Sequence, residues 1–146
     1  MQKGERWWEH FTQVELPFWS VYERGGGGAT KRAVESWLDG VMPWSSSRKP
    51  QDVKRYYDAG GNGVAMRVLP HVLLLGEKEF PKIATNIFLD GIATHGHPRA
   101  LLGALAYGFA LWAAFRKDSK LAYGELVEEL IKNVNLWSAL PATPSI

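Results

Sequence analysis

The sequence predicts an all-α fold, a multi-helix bundle around one buried apolar helix, and three observations carry that expectation. Apolar residues recur at three- and four-residue steps through most of the chain. An apolar run at residues 100–115 is bounded by Arg99 and Arg116. No apolar–polar alternation longer than a few residues occurs, so no strand is expected. Residues 1–146 are read as a single all-helical domain, large enough to bury roughly 70% of the unfolded surface.

The elements follow in order. Trp7, Trp8, Phe11, Val14, Phe18, Trp19 and Tyr22 predict two short helical pieces broken near Pro17. Four glycines at 25–28 read as a flexible helix-to-helix connector; no Gly-Lys-Ser/Thr follows them, so the phosphate-loop signal is weak. Ala33, Val34, Trp37 and Leu38 form one face of the next helix, which Thr30 can cap and Gly40 can end. Residues 43–50 read as a loop, and 52–57 as a short segment before a glycine motif. Ala65, Met66, Val68, Leu69, Val72 and Leu73 carry helical spacing that Pro70 must kink or divide. Pro81 fits a first helical turn, with Ile83, Ala84, Ile87 and Phe88 as its buried face.

Pro98 opens the long apolar helix. Its sixteen-residue apolar core would cover ~24 Å, short of a ~30 Å hydrocarbon layer, and its glycines and alanines suit close helix contacts. A core helix is expected, and no membrane partner. The last helix, around 123–137, sets Leu126, Val127, Leu130, Ile131, Val134 and Trp137 against Glu125, Glu128, Glu129 and Lys132. Pro141 and Pro144 end it.

Composition narrows the function classes. A hydrophobic content of 46% with 22% charged residues is that of a soluble globular chain. Seven tryptophans predict large apolar contacts, including surfaces meant for another part of a longer protein. A net charge of +2 without an Arg/Lys stripe argues against nucleic acid as a partner. The absence of cysteine excludes disulfides, thiolate nucleophiles and Cys-ligated zinc. The polar start, Met1 to Arg6, lacks the apolar core of a signal peptide, so a cytoplasmic location is expected.

Two motifs carry chemistry: Gly60-Gly61-Asn62-Gly63-Val64-Ala65-Met66-Arg67, and Thr94-His95-Gly96-His97-Pro98. Glycines at 60–63 let a ligand reach the backbone without a Cβ in the way. A helix opening there would offer N–H groups and a positive end to a diphosphate, with Asn62 either capping it or meeting a ligand hydroxyl. The plain alternative is a Gly-Asn turn leading into a helix. His95 and His97 form a His-x-His pair, but no third zinc ligand stands at a suitable spacing. His97 reads as a helix-entry residue and His71 as a satisfied packing histidine; His10 has no distinctive signal. The acid cluster Glu125/Glu128/Glu129 reads as a solvated face, while Asp58 and Asp90 are isolated acids near the motifs.

In order, spacing and intervening helices, the two motifs resemble the middle of the ADP-ribosylglycohydrolase family, all-helical hydrolases related to dinitrogenase-reductase-activating glycohydrolase. The resemblance is best over residues 58–115 and looser over 7–44. It implies that Gly60, Gly61, Asn62 and Gly63 belong to the loop contacting the ribose and diphosphate of ADP-ribose, and that His95 lies at the ligand pocket. It implies bracing roles for Met66 and Arg67. Asp58-Ala59 departs from the Gly-Ser of several relatives, removing one hydroxyl for phosphate.

The family holds a pair of Mg²⁺ ions with a Thr-Asp-Asp cluster near its N-terminus and an Asp cluster near its C-terminus. This sequence has no Asp-Asp, Asp-x-Asp or Thr-Asp. No catalytic residue, metal ligand or cofactor is therefore assigned to this chain; Mg²⁺ is expected for the complete fold. The parent chemistry is hydrolysis of ADP-ribose from a modified side chain or small molecule, with this chain inactive in isolation. The alternative is a non-catalytic module that binds ADP-ribose, a related nucleotide or a protein. A truncated product, a split-enzyme piece and a diverged binder all fit. Expected partners are ADP-ribose or an ADP-ribosylated substrate, and a complementing chain or flanking segment.

Overall fold

The computed structural model describes residues 3–139, and the regular elements among them are helices joined by turns and loops. Pro141 and Pro144, expected to end the last helix, lie outside the described residues. The N-terminal segment runs α1 (Lys3–His10), a π-helical turn (Phe11–Glu15) and α2 (Leu16–Tyr22) without an intervening loop. The break expected at Pro17 is therefore absent. The Leu16 N–H donates to the Phe11 carbonyl five residues back, which resets the ladder just where Pro17 has no N–H to give.

The connector at 25–28 leads into α3 (Gly28–Leu38), with extended Gly27 at its N-cap, so Thr30 lies inside the helix rather than capping it. Ala33 and Val34 are buried, but Leu38 is 60% exposed and falls off the expected face. Gly40, at φ +69°, adopts the left-handed conformation that ends the helix. Next come α4 (Pro50–Tyr57), a 3₁₀ turn (Ala65–Arg67) and α5 (Leu69–Leu75). Pro70 divides the pattern as its chemistry requires, by standing in the first turn of α5. Val64, Val68 and Val72 face the core, whereas Leu69, Leu73 and Met66 face outward.

The centre of the molecule is α6 (Phe80–Ile92) packed on α7 (Pro98–Phe115). Phe80, Ile83, Ala84 and Ile87 meet Ala100, Ala104, Leu105 and Phe109, with Phe80 and Phe109 edge-to-face at 5.1 Å. Each of the fully buried Phe, Ile and Leu side chains contributes about 1.5–3 kcal/mol, and each alanine about 0.8. Burial on α7 follows one stripe, Ala100, Leu101, Ala104, Leu105, Gly108 and Phe109. Gly103 lies on the exposed side. A smaller core joins Leu16, Val34 and Ala93, with Trp19 and Trp37 against it.

The last helix is divided: α8 (Glu125–Lys132) and α9 (Val134–Trp137) meet at Asn133, whose amide donates to the Glu129 carbonyl at 2.9 Å. Leu130 and Trp137 pack on the core, while Val127, Ile131 and Val134 remain exposed.

Candidate functional site

The C-terminal turn of α6 is the structural hub. The last turn of a helix leaves carbonyl oxygens with spare accepting capacity, and here side chains supply bonds to them beside the backbone bonds that Leu89 O and Gly91 O already accept. Four side chains from four segments do this. Trp8 Nε1 donates to Leu89 O at 2.7 Å, Trp37 Nε1 to Ala93 O at 2.8 Å, and the Tyr56 hydroxyl to Ile92 O at 2.8 Å. Arg67 supplies the fourth bond, to Asp90 O at 3.2 Å. Burial raises the Tyr56 phenol well above its ordinary range, with Tyr57 adding to the shift, so the hydroxyl keeps the proton it donates.

Thr94 and His95 follow at once, and both backbone N–H groups donate to Gly91 O. Gly96 then donates to Tyr56 O and lies so close to the Tyr56 ring that a Cβ would stand 2.4 Å from it. That contact fixes where the chain turns into α7. His97 enters α7 as expected, its Nδ1 accepting from the Arg99 N–H at 3.0 Å.

The glycine motif crosses this hub. A Cβ on Gly63 would stand 2.9 Å from His95 Cε1, 3.1 Å from Nε2 and 3.9 Å from Thr30 Oγ1. A Cβ on Gly60 would stand 2.9 Å from an Arg99 guanidinium nitrogen and 3.3 Å from the His97 ring. Gly61 has open space around it, and Asn62 is exposed. Gly63 therefore lies against His95, and Gly60 against His97 and Arg99, with Gly61 and exposed Asn62 between them.

Two expectations about this loop need correction. No α-helix opens at Gly63: a turn leads into the 3₁₀ turn, and α5 begins only at Leu69. A macrodipole argument for phosphate has no basis there, and Asn62 is not the N-cap of either element. Met66 is 76% exposed and braces nothing.

Arg67 does brace. Its Nε donates to Asp90 Oδ1 at 2.8 Å, and its terminal nitrogens donate to Gly63 O at 3.1 Å and Thr94 Oγ1 at 2.9 Å. His71 Nε2 lies 2.9 Å from the other Asp90 oxygen, and its ring packs against Trp7 at 5.4 Å. Thr94 Oγ1 in turn lies 2.8 Å from His95 Nδ1. One network thus runs His71–Asp90–Arg67–Thr94–His95. The sequence hint was only the four-residue spacing of Arg67 and His71 and of Asp90 and Thr94, although Arg67 lies in the 3₁₀ turn before α5 and Thr94 just past the end of α6. That Asp90 pairs with Arg67 and His71 was hidden.

Electrostatics sets the state of His95, which is 3% exposed. Burial, then the Arg67 charge, lower its pKa to about 4; Asp90 opposes the shift and Arg32 adds to it. The ring is neutral at ordinary pH. Beside the loop, a cleft of about 130 Å³ between α3 and α4 is floored by Ser36, Tyr56 and Ala59 and rimmed by Arg32, Arg48 and Arg55. Arg48 pairs with Asp39 at 2.7 Å and Arg55 with Asp52 at 3.6 Å, so much of that charge is internally balanced.

The isolated acids near the motifs are committed elsewhere. Asp90 gives both oxygens to Arg67 and His71, and Asp58 pairs with Lys54 at the surface. Among the described residues no three His, Asp or Glu side chains gather as a metal-binding group. Mg²⁺ requires near-octahedral oxygen coordination, and these residues do not fit it.

Compared with known families, residues 2–143 match the family model described as ADP-ribosylglycohydrolase. No curated protein and no solved structure matches the chain.

Proposed function

The chain belongs to the ADP-ribosylglycohydrolase family, and on that footing we propose that it binds ADP-ribose at the 60–63 loop and His95 without cleaving it alone. The observation that carries this reading is the close approach of Gly63 to the His95 ring, which joins the two motifs across 32 residues of sequence (95 − 63). Glycine backbone leaves room for a diphosphate to approach N–H groups directly, and Asn62 offers an amide to ribose hydroxyls.

The parent chemistry is hydrolysis of ADP-ribose from a modified side chain or small molecule. Bond cleavage at the anomeric carbon passes through an oxocarbenium-like state, with water activated by metal or carboxylate. Asp90 is held by Arg67 and His71 and Asp58 by Lys54, which leaves neither carboxylate free to activate water.

Two assays on the purified chain test the reading. Calorimetric titration with ADP-ribose should give saturable heat. Release of ADP-ribose from an ADP-ribosylated substrate, with and without Mg²⁺, should stay at background. Chelator-sensitive turnover would overturn the second half of the proposal.

A further inference from the structure

We propose that Thr94, held by Arg67, acts as a positioning residue. It fixes His95 as the tautomer carrying its proton on Nε2, and that N–H is presented to an oxygen of the ligand on the 60–63 loop. This rests on the ADP-ribose reading for the ligand, but the tautomer assignment does not depend on that reading.

The argument follows the donors. A guanidinium only donates, so at 2.9 Å Thr94 Oγ1 accepts from Arg67. Thr94 is 1% exposed, and its hydroxyl proton has to find an acceptor inside the protein. The acceptor within reach is His95 Nδ1, at 2.8 Å. Thr94 therefore donates to Nδ1, Nδ1 offers its lone pair, and the proton of the neutral ring resides on Nε2.

Arg67 cannot turn away to release this arrangement. Its Nε is bound to Asp90 Oδ1, and its terminal nitrogens to Gly63 O and Asp90 O. Asp90 is steadied in turn by His71, which donates from Nε2 to the second carboxylate oxygen. Burial and the Arg67 charge keep the His95 ring neutral, leaving it one proton to place.

The far side of the ring completes the inference. Nε2 makes no hydrogen bond to protein among the described residues, and it faces Gly63, where a side chain would fill the space. A nearly buried N–H donor aimed at a glycine backbone suits a phosphate or hydroxyl oxygen lying on that backbone.

The test uses the full chain labelled with ¹⁵N-histidine. Long-range proton–nitrogen NMR spectra of the parent should show a pyrrole-type Nε2 and a pyridine-type Nδ1 for His95; the reverse pattern overturns the relay. Thr94→Val, which keeps shape and loses the hydroxyl, should give a tautomer mixture and weaken ADP-ribose binding about tenfold. Thr94→Ser should restore both. A Thr94→Val spectrum and affinity equal to the parent's would also sink the relay. If Thr94→Val fails to fold, the parent spectrum and Thr94→Ser still decide. Absence of ADP-ribose heat with the Nε2–H pattern intact would remove the loop as an ADP-ribose site and, with it, the presented N–H, while leaving the tautomer assignment standing.

Discussion

Gly63 lies against the His95 imidazole so closely that any Cβ there would stand 2.9 Å from Cε1. No real side chain sits at that distance, so Gly63→Ala has to displace His95 or the loop. The variant should lose ADP-ribose affinity and also lose about 1–3 kcal/mol of stability, the usual cost of overpacking. Urea melts and calorimetry on the same preparation check both. A Gly63→Ala chain with unchanged stability and affinity would mean the two motifs do not touch.

Arg67 should behave as a structural residue first. Arg67→Ala strips the buried Asp90 carboxylate of its cation, leaving only His71. Breaking such a pair typically costs about 3–5 kcal/mol, and the partial exposure of the Arg67 side chain puts the expected loss near ~3. Equilibrium unfolding measures it. A loss below ~1 kcal/mol would show that Asp90 finds compensation elsewhere.

The pH dependence follows from His95. Its folded pKa of about 4 lies below the ordinary 6.5 because burial disfavours the charged ring. Between those two values the unfolded chain takes up a proton that the folded chain refuses. Stability from this group is thus full above pH 6.5, falls as pH drops towards 4, and the loss amounts to ~3 kcal/mol at most. His95→Asn should flatten this part of the stability–pH curve. An unchanged slope between pH 6.5 and 4 in that variant would assign the acid sensitivity to other groups.

Two glycines of α7 give a matched pair. A Cβ on Gly108 would meet Ile87 Cδ1 at 2.3 Å, whereas Gly103 has open space. Gly108→Ala should destabilise by about 1–3 kcal/mol through overpacking against α6. Gly103→Ala should stabilise by about 0.5–1 kcal/mol, because alanine loses less backbone freedom in a helix. Thermal denaturation of both variants compares them directly. Equal melting temperatures would contradict the placement of the α7 stripe.

Much of the architecture was legible because a 3.6-residue period reports which face of a helix is buried. Ile83, Ala84, Ile87 and Phe88 are inside, as their spacing required, and Gly40 ends α3. The same period does not report turn type. It could not distinguish the π turn at Phe11–Glu15 from an α-turn, nor show that α8 and α9 part at Asn133. At 65–75 it grouped buried Val68 and Val72 with Met66, Leu69 and Leu73, which face outward, and it did not report the 3₁₀ geometry that removes a helix start from Gly63.

The site was legible as composition and hidden as assembly. Glycines at 60–63 and a histidine after a helix marked the two motifs. The bonds that lock them together join residues as far apart as Trp8 and Leu89, or Trp37 and Ala93, and no local pattern encodes such pairings. Asp90 looked like a free acid in the sequence. Its partners Arg67 and His71 lie 23 and 19 residues away.

The central claim, that the 60–63 loop with His95 holds ADP-ribose, is tested most directly by calorimetry of the parent chain beside Asn62→Ala. Asn62 is exposed and caps neither neighbouring element, so its loss should move stability by no more than ~0.5 kcal/mol. Saturable ADP-ribose heat in the parent, weakened about tenfold in a variant that melts like the parent, is the predicted result. No heat from the parent at millimolar ADP-ribose, or equal binding by Asn62→Ala, would contradict it.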